Sequence, residues 1–378
     1  MSLRQMFAGS IVKPGYNPLA APTPIYSYYL WSWGYDAFGQ LGLGNTTNYS
    51  SPKQVGSLAN WLSVSAGYAY TASIKTDGTL WSWGRNNNGQ LGLSNTTLYS
   101  SPKQVGSLTN WLTISSGYAY VVSTKNDGTL WSWGNNANGQ LGIGNQTNYS
   151  SPIQIGGLTN WLSVSCGIYH TASIKTDNTL WSWGKNSSGQ LGLNNTTNYS
   201  SPKQIGSLTN WLSVSCGQYH TVSIKKDGTL WAWGKNNNGQ LGTNNTTLYS
   251  SPKQVGSLTN WLSVSCGAYY TVSIKTDGTL WSWGNNVNGQ LGLGTGTYYS
   301  SPKQVGVLTN WSTISGGYQH AVAIKTNGTL WSWGYNNRGQ LGLGNVTSYS
   351  SPKQIGLLTN WGKLFAGSFT NSTLALPY

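Results

Sequence analysis

The sequence offers few side chains that could act as an acid or a base, because it contains six Asp residues and no Glu. Five of the six return at intervals of 50 residues, from Asp77 to Asp277, each followed by Gly or Asn. A carboxylate that recurs in this setting favours a turn. Only Asp36 is left as a candidate for chemistry, so a carboxylate pair for acid–base catalysis or glycoside hydrolysis is missing. We therefore predict no catalytic residues and no enzymatic activity.

Histidine and cysteine are the other candidates, and their positions argue against a metal site. The His residues share one repeat position with Tyr70, and the Cys residues share another with Ala66. The first position therefore selects a ring with a polar tip, and the second selects a small side chain on a crowded inner strand. The residues concerned are His170, His220, His320, Cys166, Cys216 and Cys266. Because no C-x-x-C pair occurs, we predict no metal, no cofactor and no disulfide framework.

The charge of the chain favours acidic partners, since 20 basic and six acidic residues give a net charge of +14. Six Lys residues, including Lys53, share one position of the repeat, and six others, including Lys75, share a second position. Most of this charge is therefore distributed evenly among the units. Dispersed charge is a weak signal for nucleic-acid binding, which we do not expect. The 21 Trp residues fall at Trp31, Trp33, Trp61 and their repeats. This regularity indicates packing between units rather than stacking on bases or sugars.

A repeat of constant length organises the chain. Leu-Trp-Ser-Trp-Gly begins at Leu30 and returns every 50 residues up to Leu330, with one Ser replaced by Ala. Gly-Gln-Leu-Gly follows at a fixed offset, first at Gly39 and last at Gly339. The repeat contains no helical periodicity, and its short β-branched and aromatic segments are separated by turn residues. It therefore predicts a single domain made of equivalent units.

Each unit is expected to form four strands. Residues 211–215, 219–225 and 229–233 illustrate the first three, and residues 51–55 illustrate the fourth. Proline in the fourth segment fits only the edge of a sheet, which places this strand outermost. Asp-Gly between the second and third segments predicts a two-residue hairpin. Seven units of four antiparallel strands predict an all-β fold, a seven-bladed β-propeller.

The two ends of the repeat predict how the ring closes. The last unit, from residue 361, contains only the first two strands, and residues 26–34 and 51–55 supply the third and fourth. A blade shared between the N- and C-terminal segments would leave no free sheet edge. Residues 26–378 are thus assigned to the propeller. Residues 1–25 read as an extended arm that becomes ordered on a neighbouring subunit, with a disordered tail as the alternative.

The repeat resembles that of the RCC1 (regulator of chromosome condensation) family. The resemblance is carried by Gly-Thr-Leu-Trp-Ser-Trp-Gly, then Gly-Gln-Leu-Gly and, further on, Cys-Gly-x-Tyr-His. It implies a seven-bladed fold and, in some members, guanine-nucleotide exchange on a small GTPase and chromatin binding. In a bacterial branch it implies inhibition by covering a protein surface. The acidic contacts that exchange would require have no counterpart outside the turns of this chain.

Differences among the seven units cluster in three loops around Tyr68, Tyr35 and Leu43. In an antiparallel blade, the connection between the first two strands and that between the last two emerge on the same face. We predict a partner site on this variable face, with neutral drift in solvated loops as the alternative. The predicted contacts are Tyr35, Asp36, Phe38, Arg85, Tyr68, Tyr118, Tyr318, Tyr335 and Arg338.

The composition suggests a non-enzymatic structural or attachment protein of a virion, such as a bacteriophage particle, because only 7% of residues are charged. The expected partners are other proteins, including neighbouring subunits, or an acidic surface or glycan. The alternative is a soluble, cytoplasmic RCC1-like regulator or inhibitor that binds proteins, and an exchange factor is disfavoured. The sequence shows no signal peptide and no membrane span.

Overall fold

A computed structural model describes residues 29–377, in which the regular elements are 28 β-strands arranged as seven four-stranded sheets. The predicted arm, residues 1–25, lies outside the described residues. The first fourteen strands are β1 (Trp31–Gly34), β2 (Tyr49–Gln54), β3 (Trp61–Gly67), β4 (Tyr70–Lys75), β5 (Leu80–Gly84), β6 (Tyr99–Gln104), β7 (Trp111–Ser116), β8 (Tyr120–Lys125), β9 (Leu130–Gly134), β10 (Tyr149–Gln154), β11 (Trp161–Cys166), β12 (His170–Lys175), β13 (Leu180–Gly184) and β14 (Tyr199–Gln204). The others are β15 (Trp211–Cys216), β16 (His220–Lys225), β17 (Leu230–Gly234), β18 (Tyr249–Gln254), β19 (Trp261–Cys266), β20 (Tyr270–Lys275), β21 (Leu280–Gly284), β22 (Tyr299–Gln304), β23 (Trp311–Gly316), β24 (His320–Lys325), β25 (Leu330–Gly334), β26 (Tyr349–Gln354), β27 (Trp361–Phe365) and β28 (Ser372–Pro377).

Six sheets follow the chain order, as in β3-β4-β5-β6, and the seventh has the order β2-β1-β28-β27. The predicted seven-bladed propeller and its shared blade are therefore confirmed. Antiparallel pairing of Trp31 with Ala375 and of Gly34 with Ser372 joins the two chain segments. The third strand of this blade is shorter than the predicted segment 26–34, and the fourth begins two residues earlier than predicted. The proline of the fourth strand lies at the outer edge, as its missing N–H requires.

The hairpins between second and third strands differ from the prediction in their length. Gly78 N–H donates to the Lys75 carbonyl at 2.9 Å, and Lys75 N–H donates to the Thr79 carbonyl at 3.0 Å. Residues 76–78 thus form a three-residue loop, with Gly78 in the left-handed region at φ +76°. This is the arrangement in which a glycine after a tight turn forms a bulge. The Asp77 carboxylate stabilises the loop by accepting hydrogen bonds from the backbone and hydroxyl of Thr79.

The hydrophobic core lies between blades. One cluster combines Leu80 of one blade with Trp111 and Trp133 of the next, and six similar clusters complete the ring. Within each blade, edge-to-face indoles extend this packing, as for Trp61 and Trp83 with ring centroids 5.7 Å apart. The predicted role of the Trp columns in packing between units is confirmed.

A hydrogen bond from each blade to its neighbour locks the ring. Nε1 of Trp83 donates to the backbone carbonyl of Gln40 in the preceding blade at 2.9 Å. The same bond occurs at every blade boundary, and the one from Trp33 to Gln340 closes the circle at 3.0 Å. The Gly-Gln-Leu-Gly segment therefore accepts the hydrogen bond that the indole of the next blade donates. A Cβ on Gly42 would lie 2.7 Å from Nε1 of Trp83, so this close approach requires glycine.

Candidate functional site

The loops that vary between units lie on one face of the ring. Tyr70 pairs with both Gly67 and Gly84, and Gly84 also pairs with Tyr99. The connection between the first two strands and that between the last two therefore lie at the same end of the strands. We call this surface the loop face. The opposite surface, which carries the hairpins around Asp77 and its repeats, is the hairpin face.

An array of aromatic rings begins on the loop face at the two blades that follow the shared blade. The rings of Tyr68 and Tyr118 are stacked, with centroids 4.5 Å apart and planes inclined by 12°. The guanidinium carbon of Arg85 lies 5.8 Å from the Tyr68 centroid and 5.3 Å from that of Phe38. The structure therefore brings together four of the residues predicted from sequence.

The array continues over the next three blades through residues that the sequence analysis missed. Tyr118 lies 6.0 Å from Tyr169. Nζ of Lys185 lies between Tyr169 and Tyr219, at 5.5 and 5.7 Å from their centroids. Nζ of Lys235 bridges Tyr219 and Tyr269 in the same way. We define the aromatic arc as Phe38, Tyr68, Arg85, Tyr118, Tyr169, Lys185, Tyr219, Lys235 and Tyr269.

The remaining predicted contacts lie near the arc but outside it. Tyr318 is close enough to Tyr269 to act on its ionisation. The guanidinium of Arg338 lies 5.3 Å from the ring of Tyr35, where the last repeat meets the shared blade. Tyr335 is half-buried, and its N–H donates to the backbone carbonyl of Gln319.

Asp36 is the one predicted contact that the structure contradicts, because its side chain is fully buried. Its carboxylate Oδ1 accepts a hydrogen bond from Leu41 N–H at 2.8 Å, within the loop. A buried side chain with this role positions the loop and cannot touch a partner. Asp36 is therefore part of the repeat, because it occupies the position at which the other six blades carry Asn.

The two faces differ in their charged groups. Arg85, Lys185, Lys235 and Arg338 are the basic side chains of the variable loops, and Asp36 is buried. The other five carboxylates lie in turns of the hairpin face, beginning with Asp77. Among residues 29–377, the loop face therefore exposes cations and no carboxylate. Such an arrangement attracts anionic groups.

The tyrosines of the arc can act as hydrogen-bond donors at neutral pH. Partial burial raises the pKa of Tyr118, Tyr219 and Tyr269 above the usual value for a phenol. For Tyr118, the neighbouring rings of Tyr68 and Tyr169 raise the pKa further. A phenol is already protonated at neutral pH, and a raised pKa favours that form further, so each hydroxyl can donate to an acceptor on a ligand.

A connection of the shared blade extends over the centre of the ring at the loop face. Ser368, in the connection between β27 and β28, donates from Oγ to the backbone carbonyl of Cys266 at 2.6 Å. A longer contact of 3.4 Å reaches the carbonyl of Cys216. Through these contacts, the connection between β27 and β28 of the shared blade reaches the inner strands of two blades that are not its neighbours in the ring. The aromatic arc therefore surrounds a channel mouth that is partly covered.

The His and Cys residues are part of the packing between blades. Nε2 of His170 lies 3.0 Å from Oγ1 of Thr221 in the next blade, and burial lowers the pKa of His170 to about 3. Cys166 is buried at the end of an inner strand, and burial raises the pKa of its thiol to about 12. In the described part of the chain, no group of three potential ligand side chains could hold a metal ion. No helix of residues 29–377 has the length and apolarity to cross a membrane.

The sequence matches the profiles of one known protein family. The profile of the RCC1-like domain matches residues 158–375. That of the regulator of chromosome condensation (RCC1) repeat matches residues 29–74, 77–123 and 127–174, and a second RCC1 repeat profile matches residues 61–90. The chain belongs to the RCC1-like family. No curated protein matches it significantly.

Solved structures of RCC1-like proteins share this fold. Prp20p from Saccharomyces cerevisiae is 20% identical, with a TM-score of 0.84 over 93% of this chain and 92% of that protein. Human WBSCR16 is 21% identical, with a TM-score of 0.82 over 93% and 98% of the two chains. Prp20p was described together with its binding properties to Gsp1p and histones. Yeast RCC1 (Prp20) was also solved bound to Kap60.

Proposed function

We propose that this RCC1-like propeller is a non-enzymatic module that binds a protein partner through its loop face. The observation that carries the proposal is the aromatic arc, where partly buried Tyr rings and cations from successive blades form one continuous surface. Aromatic and Arg side chains are enriched in the energetically dominant parts of protein interfaces. The scaffold below them is held by bonds between blades, so the arc is preorganised for binding.

The comparisons favour the regulator or inhibitor alternative of the sequence analysis. One solved RCC1-like protein, yeast Prp20, was described with its binding properties to Gsp1p and histones and was also solved bound to Kap60. Protein binding, without the identity of those partners, is what we transfer to this chain. The virion assignment gains no support from the comparisons and is not part of the proposal. The suggested contact of the N-terminal arm with neighbouring subunits remains a prediction.

Site-specific photocross-linking tests this proposal. A benzophenone side chain replaces Tyr118 or Tyr219 on the loop face, and the matched control replaces exposed Thr276 on the hairpin face. After irradiation in an extract of the native host, cross-linked proteins are identified by mass spectrometry. We expect both loop-face variants to capture the same protein and the Thr276 variant not to capture it. Capture from the hairpin face alone, or no shared product from the loop face, would contradict the proposal.

A further inference from the structure

We infer that the partner presents an extended acidic segment of a polypeptide to the aromatic arc, which binds its carboxylates. This inference rests on the proposed function and specifies the chemistry of the partner. It follows from three features of the arc: the placement of its cations, the protonation of its tyrosines and the covered channel mouth at its centre.

Within residues 29–377, the cations of the arc have no carboxylate partner on their own face. Lys185 and Lys235 each lie between two Tyr rings at 5.5 and 5.7 Å, and Arg85 lies between Phe38 and Tyr68. Aromatic faces hold such cations in place without neutralising them. An incoming carboxylate would therefore meet positioned cations with which it can form charge-assisted hydrogen bonds.

The tyrosines add hydrogen-bond donors between these cations. Tyr118, Tyr219 and Tyr269 are neutral phenols at physiological pH, so their hydroxyls can donate to carboxylate oxygens and do not repel them. Neighbouring rings of the arc are 4.5 to 6.0 Å apart at Tyr68, Tyr118 and Tyr169. In an extended chain, alternate side chains on one side are about 7 Å apart, a longer step than that between these rings. The closely spaced hydroxyls therefore offer more than one donor to each acidic side chain of an extended segment.

The covered channel mouth determines the path of the segment. Ser368 of the shared blade donates to the Cys266 carbonyl on the far side of the ring, so its connection partly covers the mouth and a segment bound to the arc would lie over it. Nucleic acid fits less well, because the adjacent pair Lys185 and Lys235 is flanked on both sides by blades in which Asn135 and Asn285 occupy the position of Arg85. A backbone of regularly spaced phosphates would require a denser line of cations.

Fluorescence anisotropy with a labelled ten-residue Glu peptide tests the inference on the full chain. The test variant is Lys185→Gln with Lys235→Gln, and the control is Lys203→Gln with Lys253→Gln. The control lysines lie over Tyr rings at 5.5 and 5.8 Å on the outer strands, so both variants remove the same charge from similar surroundings. We expect the peptide to bind more weakly at higher salt, with an affinity about tenfold lower for the test variant and nearly unchanged for the control.

Several results would overturn the inference. They are equal losses in the two variants, equal binding of a ten-residue Gln peptide, and tighter binding of oligothymidylate or polygalacturonate than of the Glu peptide. If Glu peptide does not bind but the cross-linked partner is still captured at Tyr118 and Tyr219, the acidic segment is wrong and the proposed function stands. If neither occurs, both fail.

Discussion

Asp36 shows how a single side chain can depart from a repeated design. In the other six blades the equivalent Asn donates from Nδ2 to a backbone carbonyl nine residues later, as Asn86 does to Asn95 at 3.0 Å. Asp36 keeps the acceptor role of Oδ1, but its buried Oδ2 has no hydrogen-bond partner among the residues that the structure describes. An ionised carboxylate cannot donate, whereas a protonated one can reproduce the bond that the Asn amide makes. Burial accordingly raises the pKa of Asp36 to about 7.

This raised pKa predicts that stability depends on pH near neutrality. The folded protein binds the Asp36 proton more tightly than the unfolded chain, in which the pKa is about 4. The stabilisation is therefore complete below pH 4 and is lost as the pH rises towards and through 7. For Asp36→Asn, we expect the free energy of unfolding relative to that of the wild type to rise between pH 5 and 7, by up to about 1 kcal/mol per pH unit, because the buried His residues contribute the same pH dependence to both proteins. Urea unfolding at several pH values measures this difference, and identical pH slopes would show the assignment to be wrong.

At the scale of the element, each blade depends on a loop that receives the Trp of the next blade. Gly42 and Gly56 both adopt positive φ, at +76° and +62°. A Cβ on Gly42 would overlap the Trp83 ring, whereas a Cβ on Gly56 would point into open space. The two glycines thus separate the backbone cost of a substitution from its effect on the contact between blades.

We predict that Gly42→Ala is more destabilising than Gly56→Ala. Gly56→Ala places a side chain in the left-handed region, which costs about 1 kcal/mol. Gly42→Ala has the same cost and also displaces the indole that donates to Gln40, so we expect a total of about 3 kcal/mol. Thermal or urea denaturation of the two variants measures the difference. Equal losses of stability would mean that the Trp83 bond contributes little to the ring.

At the scale of the whole molecule, the sequence predicted the number of blades, the strand order and the shared blade because each depends on an exact period. The aromatic arc was only partly predicted. Tyr68 and Tyr118 occupy one position of the repeat, whereas Tyr169 and its repeats occupy the next position. Because the blades were compared one repeat position at a time, the sequence did not show that all these Tyr side chains lie in the same loop. The sequence did contain a signal for the arc, because the connection between the first and second strands carries one Tyr in six of the seven blades. The burial of Asp36 also depends on loop folding, which the period does not encode.

The arrangement of the whole ring also explains why the proposed binding surface lies on one face. The hairpins need Asp to stabilise a repeated turn, so the scaffold itself keeps carboxylates on the hairpin face. The loops of the other face bear no such constraint beyond the Gly-Gln-Leu-Gly segment, and their side chains differ from blade to blade. Their cations and aromatic rings can therefore form a surface that attracts a partner without weakening the ring.

Lysine footprinting of the complex with the captured partner tests the central claim, binding at the loop face, most directly. The complex and the free protein are treated with an acetylating reagent, and the extent of labelling at each lysine is compared by mass spectrometry. We predict that the partner protects Lys185 and Lys235, while Lys203 and Lys253 on the outer strands and Lys226 on the hairpin face label at their free rates. Protection of the outer strands or of Lys226, with Lys185 and Lys235 still reactive, would contradict the claim.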